Sequence, residues 1–169
     1  YRDARILTIY EGTTAIQAND LIGRKTARDG GAVARALIAK VRETEAQLSA
    51  RGGADLTAIA GRLSAGRAAL EAAVDFMVGA FKGDVRAAFA GSVPYLKLAG
   101  VVLSGWQMAR AALAADELLK AGDGDAEFLA SKIATARFHA DHILSQAPGL
   151  ASSVVDGAAG VLALESERF

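Results

Sequence analysis

Apolar side chains recur along most of this chain at steps of three and four, and no stretch alternates with a period of two beyond four or five residues. Leu56, Ile59, Leu63, Leu70, Val74, Met77 and Phe81 form the clearest stripe. A helix face repeats every 3.6 residues and a strand face every two, so this spacing commits the chain to amphipathic helices. Alanine supplies 39 of the 169 residues. It is the best helix former and leaves little bulk between helix axes. The expected fold is all-α, an antiparallel helical bundle with short loops.

Glycine pairs punctuate the stripes. A helix is expected from about Ala15 to Arg28, with Thr14 and Gln17 spaced as a capping box. Asp29-Gly30-Gly31 ends it and is the one candidate domain boundary, dividing 1–30 from 31–169. Val33, Leu37, Val41, Thr44 and Leu48 mark a helix from Ala32 to about Ser49, stopped at Gly52-Gly53. The Leu56–Phe81 stripe follows, with Gly66 at a seam where a backbone can approach. A short helix is expected over Asp84–Ala90. Ser92 then offers an N-cap to a long helix carrying Leu96, Ala99, Val102/Leu103, Trp106, Arg110 and Leu113 on its stripe, Pro94 lying in its first turn. The next runs from about Ala126 to Gln146 and is stopped by Pro148-Gly149. A last one covers roughly Ala151–Glu165. The part after Gly31 is expected to fold by itself.

Several function classes are excluded early. Nineteen basic and nineteen acidic residues balance, which argues against nucleic acid or an anionic membrane as the main partner. With no cysteine, disulfides, Cys-ligated zinc, iron–sulfur clusters and cysteine nucleophiles are out. The longest uncharged apolar run, Leu98 to Ala109, falls short of the ~20 residues that cross a bilayer, so no membrane span is expected. The chain opens on Tyr1-Arg2-Asp3 with no visible leader, which reads as a piece of a longer cytoplasmic polypeptide.

Few residues offer chemistry on their own terms. His139 and His142 share a helix face, yet no third ligand is at hand for a metal. Trp106 is the single tryptophan and reads as a core anchor. Gly30-Gly31 and Gly52-Gly53 follow no strand, so neither reads as a phosphate loop.

The first twenty-five residues say more. Tyr1-Arg2-Asp3-Ala4-Arg5-Ile6, then Ile9-Tyr10-Glu11-Gly12-Thr13-Thr14-Ala15-Ile16-Gln17 and Asp20-Leu21-Ile22-Gly23-Arg24-Lys25, resemble in order the closing motif of the acyl-CoA dehydrogenase family. Val93-Pro94-Tyr95-Leu96, Gly100-Val101-Val102 and Gly105-Trp106 are similar, more softly, to the C-terminal extension of the 3-methylmercaptopropionyl-CoA dehydrogenase-like subfamily.

That resemblance implies a C-terminal portion of an FAD-dependent enzyme. Residues 1–30 would be the catalytic-glutamate loop and last helix of the catalytic helical domain, and 31–169 an extension bundle. It places Glu11 as the base that removes the α-proton of an acyl-CoA thioester while the β-hydrogen leaves as hydride to the flavin, giving a trans-2-enoyl-CoA. The Glu11 backbone N–H would stabilise the thioester oxygen as the enolate develops. Gly12 would lie against the thioester, where a side chain would crowd it. Thr13 matches a position that contacts FAD, and Thr14 and Ala15 continue that segment; many relatives place Gln or Glu where Ala15 stands. Electron-transfer flavoprotein as acceptor and a homo-oligomeric parent are further implications, as is an inactive isolated fragment. Arg2 and Asp3 read as a structural ion pair. Without the resemblance, Glu11 is a loop carboxylate near a helix N-terminus. The alternative is a non-catalytic oligomerisation or interaction bundle.

Overall fold

A computed structural model describes residues 1–9, 13–164 and 168. Among them there is no strand, and the fold is all-α as the periodicity requires. A 3-10 helix over Asp3–Thr8 precedes α1 (Thr14–Asp20), which widens without a break into a π-helix over Leu21–Ala27. Then come α2 (Ala32–Arg51), α3 (Ala54–Lys82), α4 (Val85–Ala90), α5 (Ser92–Ala121) and α6 (Ala126–His142). A 3-10 turn at Leu144–Gln146 leads to α7 (Ala147–Asp156) and the short α8 (Ala158–Val161).

Ion pairs give the directions of the long helices. Arg35 pairs with Asp75, Arg42 with Glu71, and Glu45 with Arg67, so α2 and α3 run antiparallel. Arg51 reaches Asp116 while Trp106 donates to Thr44, which makes α2 and α5 parallel. Asp55–Arg137 and Arg62–Asp141 make α3 and α6 parallel in the same way. The result is an up–down arrangement of four long helices, with α7 laid against α3 and α5. Most of these pairs are exposed and each contributes little. Arg67–Glu45, at 2.8 Å with both side chains largely covered, is the exception in burial.

The stripes largely predict the core. Leu56, Ile59, Leu63, Leu70, Val74 and Met77 of α3 are all buried. On α2 the buried set is Ile38, Val41, Thr44, Glu45 and Leu48, while Val33 at the bundle's edge is 68% exposed. The buried face of α5 lies one residue from expectation: Tyr95, Leu98, Val102, Gly105, Ala109, Ala112 and Ala115. Small residues on that face let neighbouring axes approach, and the bulkier Leu96, Leu103 and Trp106 flank it. By length and composition α5 could cross a membrane. Here it is the bundle's central helix, packed against α1, α2, α3, α6 and α7.

Some boundaries differ from the sequence reading for local reasons. Thr13, not Thr14, is the N-cap of α1, and no side-chain hydrogen bond caps it; the Thr13 carbonyl already accepts the Gln17 N–H, so Thr14 is inside the helix and no capping box forms. Gly91 likewise precedes α5, leaving Ser92 as its first residue. Pro148 does not merely stop α6; it lies in the first turn of α7, where its missing N–H costs nothing. Asp29 accepts from the N–H groups of Gly31, Ala32 and Val33 at 2.9–3.1 Å. The Val33 bond is the first cause that holds its carboxyl below the usual range. Gly31 has φ +84°, and a Cβ there would meet Val74 and Val78 at 3.1 Å. The joint after α1 is therefore tight, and Ala18, Ile22 and Thr26 are buried against the bundle.

Leu144 carries the sharpest packing detail. Its side chain, 1% exposed, fills a notch between two glycines. A Cβ on Gly66 of α3 would stand 2.7 Å from Leu144 Cδ1, and one on Gly105 of α5 2.9 Å from Cδ2. Leu144→Ala is expected to destabilise the fold by about 2–5 kcal/mol, the range for truncating a buried leucine that leaves a cavity. Equilibrium urea unfolding checks it; a loss under ~1 kcal/mol would show that the notch collapses around alanine.

Candidate functional site

The expected base, Glu11, lies outside the described residues together with Tyr10 and Gly12. Its neighbours in sequence are described. On one side is the Asp3–Thr8 3-10 helix, where Ile6 is 56%, Leu7 77% and neighbouring Ile9 74% exposed. On the other is α1, with Ile16 at 63%. Arg2 and Asp3 pair at 3.5 Å, almost wholly in solvent, so the pair is real but weak. Thr13 is half-buried; Thr14 and Ala15 are exposed on the first turn of α1.

These residues suit the polar edge of a flavin in kind. No side chain caps α1, and a first helical turn presents backbone N–H groups with no intrahelical acceptor. Together with the Thr13 and Thr14 hydroxyls they form a set of donors where an acceptor-rich cofactor could lie. Ala15 brings no polar side-chain atom. Burial organises only the far end of this segment, through Ala18 and Ile22, both fully enclosed.

The two histidines do not converge. His142 stacks on Phe138 with ring centroids 4.5 Å apart. His139 Nε2 lies 3.2 Å from Ser104 Oγ, and that hydroxyl is also within 3.0 Å of the Val101 carbonyl. If Ser104 donates to Val101, it accepts from an Nε2–H, leaving Nδ1 unprotonated. Nδ1 is buried without a partner, so no carboxylate orients the ring as a nucleophile–base pair requires. No group of three or more His, Asp or Glu side chains among the described residues could hold a metal. Trp106 meets its expected role: half-buried against the core, it donates to Thr44 Oγ1 at 2.8 Å.

Burial pushes the His139 pKa down. Between that lowered value and the ordinary one of 6.5, the unfolded chain binds more protons than the folded one. Stability is therefore expected to rise with pH across that window and be complete above it. His139→Gln should flatten the slope, as read from urea midpoints at pH 5 to 8 (the range near which His titrates, roughly). An unchanged slope would assign it to another group.

Comparison with known proteins decides the family. A family described as acetyl-CoA dehydrogenase C-terminal like has a model that matches residues 37–165. The chain belongs to that family. It is 51% identical over 156 residues to 3-methylmercaptopropionyl-CoA dehydrogenase of Ruegeria pomeroyi, covering 92% of this chain and 26% of that protein. It is 36% identical over 158 residues to the broad-specificity linear acyl-CoA dehydrogenase FadE5 of Mycobacterium tuberculosis, covering 85% and 24%. The chain thus spans about a quarter of the length of these relatives. The first match takes in part of the N-terminal segment that the family model leaves out. Within this acetyl-CoA dehydrogenase C-terminal-like chain, only the motif as a whole singles out Glu11. Local physical chemistry does not distinguish Glu11 from any loop carboxylate.

Proposed function

We propose that this chain is the C-terminal portion of an FAD-dependent acyl-CoA dehydrogenase that oxidises an acyl-CoA thioester at Cα–Cβ to a trans-2-enoyl-CoA. Residues 1–30 close its catalytic helical domain and 31–169 form the extension. The supporting observation is the run of exposed apolar side chains that flanks Glu11 in sequence. Ile6, Leu7, Ile9 and Ile16 all stand in solvent in this chain, and so many large apolar side chains exposed close together in sequence mark a segment made to be covered. Covered by the remainder of a dehydrogenase, the same side chains would exclude water around Glu11.

Glu11 is the base. A carboxylate is weak against a carbon acid, so the pKa gap must close from both ends. Desolvation in the closed site of the parent would favour the neutral carboxyl of Glu11 and strengthen it as a base. The Glu11 backbone N–H donates to the thioester oxygen and favours the enolate as charge develops there. Gly12 admits the thioester without a Cβ in its way. Thr13 and Thr14 hydroxyls, with the leading N–H groups of α1, would hold FAD, while Ala15 offers backbone only. FAD, when bound, supplies the acceptor for the departing β-hydride. Electrons pass on to a flavoprotein acceptor, and the parent is a homo-oligomer.

The 169-residue chain alone carries only this edge of the site, so it should bind neither FAD nor acyl-CoA productively. After incubation with excess FAD and gel filtration, it should emerge colourless. Near-stoichiometric retained flavin would overturn this assignment of the cofactor site to the remainder of the protein. A second reading, a non-catalytic interaction bundle, draws on α6, where Phe128 and Phe138 are 56% and 60% exposed.

A further inference from the structure

A groove of about 240 Å³ opens where the π-helix meets α2, α3 and α5. Protein interiors are close-packed and hold few voids of this size. Small residues keep it open: Ala34 on α2 and Ala99 on α5 stand among leucines and valines along its wall. At water's liquid share of about 30 Å³ per molecule, the space is that of roughly eight waters. The walls are mostly hydrocarbon, from Leu37, Leu70, Val74 and Leu103 among others, which suits an apolar chain better than water.

Polarity enters from one place. Lys25 and Thr26, neighbours on the π-helix, both line the groove. Asp20 is the carboxylate recorded with Lys25, and it is shared: Arg24 holds it at 3.1 Å, and the Lys25 ammonium stands off at 3.7 Å. Lys25 is the one charged residue in the groove's lining, where no carboxylate stands. Thr26 Oγ1 and Tyr95 Oη, both buried, bond to each other at 3.1 Å. That mutual bond uses one of their two hydroxyl protons. A π-helical stretch is rare, and such stretches occur often at functional sites.

We propose that this groove binds a small amphipathic anion, a single-chain carboxylate with its head at Lys25 and its hydrocarbon along α2 and α5. The site is separate from the residues assigned to acyl-CoA and FAD, and it stands whether or not the dehydrogenase reading does.

The probe is octanoate, titrated into the 169-residue chain with methyl-labelled leucine and valine. The expected result is saturable one-to-one binding, with shifts concentrated on Leu37, Leu103 and Val74. Octylamine, with a comparable tail and the opposite charge, should bind at least roughly 5-fold more weakly. Lys25→Ala changes an exposed side chain and should weaken octanoate roughly 2- to 5-fold, the size of one exposed ion pair. Ala34→Phe should fill the groove and abolish binding at an unchanged far-ultraviolet spectrum. Should that variant lose its helicity, the shift map and the octylamine comparison on the unaltered chain decide. Absent saturation, shifts spread over the surface, equal binding of the two probes, or full binding by a folded Ala34→Phe would each overturn the proposal.

Discussion

Glu11→Gln in the complete flavoprotein should slow anaerobic flavin bleaching by acyl-CoA by roughly 10²–10⁴-fold or more, the range that a lost general base typically costs. Glutamine keeps the size and hydrogen-bonding shape of the side chain but cannot take a proton at working pH. The motif's other carboxylates, Asp3 and Asp20, are paired with Arg2 and Arg24 and offer no obvious substitute base, so the loss should sit at or above that range. Flavin content and acyl-CoA affinity should survive, because Gly12, Thr13 and the backbone N–H of residue 11 are unchanged. Loss of bleaching with retained flavin separates proton abstraction from binding. Bleaching at near wild-type speed would assign the base elsewhere. A variant that sheds its flavin would contradict the reading that the Glu11 side chain is catalytic without being structural.

Helices were readable in this chain because a buried face repeats at 3.6 residues whatever it packs against. Leu56 through Met77 show this: every residue of that stripe up to Met77 is buried in α3. The exact face was less readable where alanine dominates. On α5, Gly105, Ala109 and Ala112 carry the close approach, and small residues give no hydrophobic contrast to mark them. The π-helix over Leu21–Ala27 has no pattern of its own in the residues. It lies at Gly23, where a Cβ would meet the Phe81 ring at 3.6 Å, a contact between segments distant in sequence. Pro148 was ambiguous for a different reason, since the same missing N–H that ends one helix suits the first turn of another.

The candidate site divides along the same line. Glu11, Gly12 and Thr13 could be singled out only through an ordered motif, because a carboxylate, a glycine and a hydroxyl in a loop have many ordinary uses. The groove at Lys25 and Thr26 could not be read at all. It needs Ala34, Leu70 and Tyr95 from three other helices, and a lysine–threonine pair in isolation says nothing of what faces it. The Leu144 notch is of the same kind, joining Gly66, Gly105 and a leucine from three places in the chain.

Removal of residues 1–30 is expected to lower the melting temperature by about 10 °C or more while leaving a strongly helical spectrum. The four long helices and α7 remain, and their mutual packing on α3 supplies most of the core. What goes is the covering over one face. Ile22 and Ala18, each fully buried, leave the bundle, and Val74, Leu70 and Tyr95 lose neighbours. Losing a buried isoleucine costs on the order of 2–5 kcal/mol. The Tyr95 hydroxyl, whose pKa burial pushes up, also loses Thr26 as its partner, but the same removal opens it to water, so that exchange costs little. At about 2–4 °C per kcal/mol for a chain of this size, the isoleucine loss reaches about 10 °C near the middle of its range. Thermal unfolding followed at 222 nm (roughly the helical band) separates the outcomes. An unchanged melting temperature would mean that 31–169 is an independent domain on which α1 merely rests. A shift of the expected size with cooperativity intact would mean that 1–30 and 31–169 form one folding unit, with the first thirty residues built into its core.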